Sequence, residues 1–202
     1  MTLIQDDRTQ DDLVETQREQ SIPVLATARL VLRAPCREDV KAIVALANDL
    51  RVSENLSRMP HPYGAADAEQ FLAAVNKRDG EICFAITRDE RLIGMCGLDP
   101  RDEAHELGYW LGVDYWGRGY ATEAARAAID YAFGELGLAA LQSGARVSNP
   151  ASRRVLEKCG FQWSAVKLTR IRAINSAAPA DRFRLDRGLW ASLKAWGRVR
   201  VA

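Results

Sequence analysis

Read for the spacing of its apolar residues, the chain divides into a polar opening and a long patterned remainder. Residues 1–26 show no sustained apolar period, and a flexible or loosely helical extension is expected there. Pattern begins at 29–34, Arg-Leu-Val-Leu-Arg-Ala, which reads as a strand. Glu38 and Asp39 then open a helix with Val40, Ile43, Val44 and Ala47 on one face. Residues 48–63 lack a period and carry Pro60 and Pro62, so a loop is expected, followed by a second helix over 65–77. Strands are expected at 82–87, 92–98 and 106–113. The polar turns between them, 88–91 and 99–103, are short enough for antiparallel neighbours.

The strongest helical signal follows over 120–136. Ala121, Ala124, Ala125, Ala128, Ile129 and Ala132 form one stripe, mostly methyl groups, so this helix can lie very close to a sheet. A strand is expected near 141–147. Asn149-Pro150 then supplies a cap and a first helical proline, and the short helix they start stops at Gly160. The Ala/Pro/Asn-rich stretch 171–181 reads as a loop between two last strands, 161–166 and 182–189. The sum is an α+β domain over 27–190 with a tail at 191–202. It is built on a mixed, mostly antiparallel sheet of about seven strands with about four helices.

Composition narrows the class. The 202 residues carry 48% hydrophobic and 27% charged residues and a net charge of +1, an ordinary globular balance that suggests no nucleic-acid partner. The first 20 residues hold six acids and two bases, so the net positive charge lies in the remainder and modestly favours an anionic ligand. Cys36, Cys83, Cys96 and Cys159 form no C-x-x-C pair, which points to apolar fillers in a reducing compartment and to no metal. With no leader pattern and no apolar run of about 20 residues, a cytoplasmic protein without membrane contact is expected.

The chemically informative stretch is Glu106-Leu-Gly-Tyr-Trp-Leu-Gly-Val-Asp-Tyr-Trp-Gly-Arg-Gly-Tyr-Ala-Thr-Glu-Ala124, a strand, a glycine turn and a helix start. Such a turn aims the free N–H groups of the first helical turn at one spot, where the helix dipole adds positive potential. Gly117 and Gly119 let the backbone curl, and Arg118 adds a fixed charge. A dinucleotide fingerprint would need glycine or alanine at 122, which is Thr122, and no Gly-Lys-Ser/Thr tripeptide occurs. A pyrophosphate seat of another kind and a plain glycine turn both remain open.

Together with Thr27-Ala-Arg-Leu-Val-Leu-Arg33, Asn149-Pro-Ala-Ser152 and Leu156-Glu-Lys-Cys-Gly-Phe161, this stretch resembles the GNAT acetyltransferases, and within them the RimJ/RimL-like branch that acetylates N-termini of ribosomal proteins. The resemblance runs from about Arg29 to Arg187. It implies the GNAT fold and acetyl-CoA as acetyl donor, with an amine as acceptor, either a peptide N-terminus or a small molecule; a homodimer is a family-level expectation. The family's R/Q-x-x-G-x-G/A turn falls on Trp116, Gly119 and Ala121, so the first marked position departs from it. By resemblance the N–H groups of Gly117, Arg118, Gly119, Tyr120, Ala121 and Thr122 would hold the pyrophosphate. The backbone at Leu111 and Val113 would run beside the pantetheine arm, where that strand splays from the next, and Asn149 would bond the same arm.

Acetyl transfer requires a base for the amine, donors for the thioester oxygen, and a partner for the departing sulfur. Glu106, at the start of the strand, is the candidate base through a water, as the matching residue implies. Ser152, in the first turn of the Asn149-capped helix, is the candidate acid and also borders the cofactor. Many relatives place a tyrosine acid in that helix, and here the position is Leu156. His61, in the loop that shapes the acceptor site in related folds, is a weaker candidate, and His105 reads as a surface residue. Tyr109 and Trp110 should pack on opposite strand faces, with Tyr109 able to face the acceptor cleft. Trp163 and Trp190 read as core or dimer-surface residues, and 167–172 as a solvated basic face. Two functions stay open, an active N-acetyltransferase and a catalytically silent acyl-CoA-binding sensor.

Overall fold

A computed structural model describes residues 22–75, 80–101 and 103–196. Eight strands form one sheet in the order β1-β2-β3-β4-β5-β6-β8-β7. They are β1 (Leu25–Ala26), β2 (Val31–Arg33), β3 (Ile82–Arg88), β4 (Arg91–Asp99), β5 (His105–Leu111), β6 (Ala140–Arg146), β7 (Gln162–Ile171) and β8 (Ser176–Asp186). Every pairing is antiparallel except β5 with β6. Six helices accompany them: α1 (Val40–Ala47), α2 (Leu50–Ser53), α3 (Ala65–Ala74), α4 (Tyr120–Gly134), α5 (Pro150–Lys158) and α6 (Arg187–Trp196).

Each face of the sheet has its own core. The larger packs α4 and α5 onto Phe84, Leu107, Leu141 and Phe183. The alanine stripe of α4 is buried as its spacing requires, with Ala124, Ala125, Ala128 and Ala132 fully covered. The smaller core packs α1 and α3 onto Ala85 and Met95, with Trp110 against it. Period-2 alternation follows: Leu107, Tyr109 and Leu111 face α4 and α5, while Glu106, Gly108 and Trp110 face the other way. Tyr109 and Trp110 therefore do lie on opposite faces.

Several boundaries differ from the sequence reading. Leu25 and Ala26, placed in the extension, pair with Leu32 and Val31; two residues are too few to show a period. Most of the extension, residues 1–21, lies outside the described residues, as do 197–202. The stretch 171–181 is largely strand. Pro179, which argued for a loop, sits opposite Val147, one step past the last ladder pair, Arg146 with Ala180, so its missing N–H removes only the closing bond, to the carbonyl of the half-exposed Val147. Its carbonyl still accepts from the Val147 N–H at 3.0 Å. The last strand ends at Asp186, and the tail contains most of α6. Trp190 ties α6 to α4, its ring 5.3 Å from Phe133 and its Nε1 donating to Asp130 at 2.8 Å. Trp163 is 53% exposed and not a core residue. Among the described residues no helix is long and apolar enough to cross a membrane, and no group of three or more His, Cys, Asp or Glu could hold a metal.

The start of α4 is pinned from outside the helix. Glu123 accepts from Thr27 Oγ1 at 2.7 Å, from the Arg29 N–H at 2.9 Å and from Arg29 Nε at 2.7 Å. Burial opposes its ionisation, but these donors outweigh that and hold its carboxyl below the usual range. Asp39, buried and gripped by Arg33 through two contacts of 2.7 Å, is held low in the same balance. A depressed carboxylate stabilises the fold above its unfolded pKa, about 4, and that contribution disappears as pH falls through the lower folded value. Glu123→Gln should therefore lose less stability than the parent protein between pH 7 and pH 3. Urea midpoints at the two pH values check this; equal losses would reject the role.

Candidate active site

The chemistry-bearing residues converge where β5 leaves β6. The two strands pair only at His105 with Leu141 and Glu106 with Gln142, then diverge. The Gly112 N–H donates to the Ile93 carbonyl on β4 at 2.9 Å, which sets the alternation of the β4–β5 ladder. Residues 107, 109 and 111 must then aim their backbone groups at β6. The Leu107 carbonyl is satisfied there by Ser143 Oγ at 2.7 Å, and the Leu111 carbonyl by Trp116 Nε1 at 2.8 Å. The backbone of Tyr109 and the Leu111 N–H face an open gap.

At the end of this gap the chain turns through Gly117 and Gly119, with φ of +74° and +80°, into α4. Among the described residues no protein acceptor takes the N–H groups of Gly117 to Thr122. The Arg29 guanidinium fixes the turn from behind by donating to the Arg118 carbonyl at 3.0 Å. Tyr120 is buried beneath it: Arg29 lies 4.7 Å and Arg88 5.3 Å from its ring centroid, and Arg88 also donates to its hydroxyl. Tyr120 thus supports the turn through its side chain and offers a ligand only its N–H. A Cβ on Gly117 would meet nothing within 4 Å, so the outer side of the crescent is open.

On the α5 face, Asn149 Oδ1 accepts from the Ser152 N–H at 3.0 Å, so its amide nitrogen is what remains for a ligand. The Tyr109 hydroxyl reaches Ser152, 3.0 Å from Oγ and 3.1 Å from the carbonyl. Burial drives the Tyr109 phenol well above its ordinary pKa, against the Ser152 hydrogen bond, so it stays protonated. Leu156 is fully buried in the larger core.

On the opposite face Glu106 sits in a charged row. Arg101 Nε lies 3.1 Å from one of its oxygens and Arg182 Nη1 2.9 Å from the other. Arg182 reaches Glu106 by lying across β6 at Gly144, where a Cβ would come within 2.7 Å of Nη1. Gly97 pairs with Gly108 across β4 and β5, and Gly144 lies on β6 two residues past Gln142, the last partner of β5. Gly108 is exposed although β5 is an interior strand, and nothing lies within 4 Å of where its Cβ would be. It is the floor of an opening between Glu106 and Trp110. The expected 48–63 loop contains α2; His61, beyond that helix, is half-buried, and its Nδ1 is buried with no partner among the described residues. His105 begins β5 and is half-buried, not a fully exposed surface residue.

The structure thus brings the 117–122 turn and Leu111 to one end of the gap, and Asn149 and Ser152 to its α5 face. Glu106 lies across the sheet from Ser152. Val113 departs from expectation, since it lies in a short 3-10 turn beyond β5. Trp116 serves Leu111 through its indole. The contact of Tyr109 with Ser152 was missed. Period-2 alternation set it opposite Trp110, but it packs on the α4 and α5 face and not toward the Glu106 opening, and only the tertiary fold shows that Ser152 meets it.

The description "Acetyltransferase (GNAT) domain" matches residues 29–162. A relative named "Uncharacterized N-acetyltransferase YoaA", from Bacillus subtilis (strain 168), is 32% identical over 151 residues, covering 71% of this chain and 85% of the relative. Among solved structures, Mycobacterium smegmatis RimJ in complex with CoA-disulfide superposes with a TM-score of 0.74 at 18% identity, covering 88% of this chain and 96% of that one. Spermidine N-acetyltransferase from Vibrio cholerae, in complex with CoA and spermine, gives 0.70 at 21% identity, covering 82% and 99%. At these identities the two structures speak for the fold.

The turn itself can be tested. Gly119→Ala forces a left-handed conformation on a residue with a Cβ, at about 1–2 kcal/mol. It should weaken coenzyme A roughly 5- to 30-fold while circular dichroism stays unchanged. Calorimetric titration with coenzyme A checks this, and unaltered affinity would show that the turn is not the seat.

Proposed function

The chain belongs to the GNAT acetyltransferase family, whose acetyl donor is acetyl-CoA, and from that premise we propose an N-acetyltransferase that moves the acetyl group to a primary amine by direct attack on the thioester. The observation that carries this reading is the early parting of β5 and β6 beside a crescent of free N–H groups. A slot beside an anion seat is what a pantetheine diphosphate needs, and this supports the reading.

The residues present fit that donor. The N–H groups of Gly117 to Thr122 hold the pyrophosphate, helped by the α4 dipole and Arg118. The free backbone groups of Tyr109 and Leu111 bond the pantetheine arm as a neighbouring strand would, and the Asn149 amide nitrogen adds a donor. Acetyl-CoA supplies the activated acetyl group. N–H groups on the gap edge of β5 stabilise the thioester oxygen as it gains charge. Glu106 takes the proton of the amine through a water. Each of its oxygens has accepted one arginine donor and keeps a lone pair for that water.

Ser152 and Tyr109 serve the departing sulfur. A thiol has a pKa of about 8.5 and a free tyrosine about 10, and burial pushes Tyr109 higher still. Full transfer of the Tyr109 proton would therefore be uphill by about 2 kcal/mol or more. The pair acts by hydrogen bonding: Tyr109 shares its one proton between the Ser152 carbonyl and Oγ, and the Ser152 hydroxyl donates to the sulfur. This division replaces the helix tyrosine, whose position is filled by the buried Leu156. A silent acyl-CoA sensor remains the competing reading, and amine-dependent thiol release separates the two.

Two substitutions test the roles. Glu106→Gln should lower kcat/KM for amine-dependent thiol release by 10²-fold or more, roughly the worth of a positioned base, with coenzyme A affinity retained. Tyr109→Phe should lower kcat by about tenfold, the loss of one indirect hydrogen bond. Wild-type rates in either variant would remove that residue from the mechanism.

A further inference from the structure

Five charged side chains alternate along the rim of the Gly108 opening: Arg58, Asp99, Arg101, Glu106 and Arg182. Arg58 Nη2 lies 2.6 Å and Arg101 Nη2 2.7 Å from Asp99 Oδ2. Arg101 and Arg182 then share Glu106. Among the described residues of this row three guanidiniums face two carboxylates, an excess of positive charge. The hydrogen-bond balance is more lopsided still, because each guanidinium has five N–H donors and no acceptor. Both Glu106 oxygens and one of Asp99 are already in contact with arginine. Arg58, at the outer end, has a side chain 63% exposed and uses Nη2 alone on Asp99. The adjoining groove over β6, β8 and β7 adds Lys167 and Arg184 against Glu103, so it does not reverse the sign.

A row with spare donors and occupied carboxylates selects for a ligand that brings oxygen and negative charge. Resting on the acetyl-transfer reading above, we infer that the acceptor is a primary amine carrying a carboxylate or a phosphate, bound by the outer guanidiniums of this row and chiefly by Arg58. The amine then lies over Gly108 beside Glu106, at the mouth of the gap. A polyamine is disfavoured, because its second ammonium would meet arginine in place of a free carboxylate. Arginine suits this task, since its planar fork binds either oxyanion through two parallel N–H groups.

The test reads thiol release from acetyl-CoA with two matched pairs: Ser-Glu-Ala-amide against Ser-Ala-Ala-amide, and phosphoethanolamine against ethanolamine, with spermidine as the polycation. At least one anionic member should show a KM tenfold or more below its neutral partner, and which pair does so distinguishes carboxylate from phosphate. Spermidine should be the poorest acceptor. Arg58→Gln should shrink the anionic preference to under threefold. Equal KM values within both pairs, a preference for spermidine, or an undiminished preference in Arg58→Gln would overturn the inference and leave acetyl transfer standing. Thiol release with none of the five, while calorimetry still shows acetyl-CoA bound, would overturn the acetyl-transfer reading and this inference with it.

Discussion

The parting of β5 from β6 after two residue pairs is the constraint on which the rest of the molecule is arranged. Leaving ladder positions unpaired inside a sheet is costly, on the order of 1–3 kcal/mol for each buried group left without a partner. The fold limits that cost one carbonyl at a time, Ser143 serving Leu107 and Trp116 serving Leu111. What remains unpaired at Tyr109 and the Leu111 N–H is a short edge inside the sheet, ready for a ligand that carries amides of its own. The slot is thus a strand site left vacant, which explains why its recognition groups are backbone and need no particular side chain.

An open slot also needs a fixed end. The glycine turn could move with its two left-handed residues, yet it is gripped at three points. Arg29 bonds the Arg118 carbonyl, Glu123 bonds Thr27 and Arg29, and Tyr120 is enclosed between two guanidiniums. These contacts tie the first turn of α4 to the segment leading into β2 and to Arg88 of β3. Each is modest, but together they keep the donors of the crescent aimed before a ligand arrives, which reduces the ordering cost of binding. The alanine face of α4 contributes by letting the helix lie close against β4 and β5.

Local signals made about half of this legible. The stripe at 121–132, the glycine turn and the Asn149-Pro150 cap are each written in adjacent residues, and the structure contains them. The β7–β8 hairpin was misread because Pro179 is judged by sequence as a strand breaker, whereas its harm depends on whether a neighbour needs its N–H. The Tyr109–Ser152 contact joins residues 43 apart, and Arg58–Asp99 joins residues 41 apart. No spacing rule reaches across such distances. Glu106 was legible as a strand-end carboxylate, but its two arginine partners, one of them carried over Gly144, were not.

The proposed base and the proposed sulfur donor lie on opposite faces of one strand, and this follows from parity alone. Glu106 and Tyr109 are three residues apart on β5, so their side chains must point to opposite sides. A base for the amine and a donor for the sulfur therefore cannot share a pocket here. They can act on one reacting carbon only if the substrate passes through the sheet. The gap beside β5 supplies that passage, and Gly108, between the two on the chain, leaves it unobstructed on the acceptor side. Closing the sheet by extending the β5–β6 ladder two more residues would satisfy more backbone and raise stability. It would also put a continuous layer of hydrogen-bonded peptide between Glu106 and Ser152, and the proposed site would no longer exist as one place.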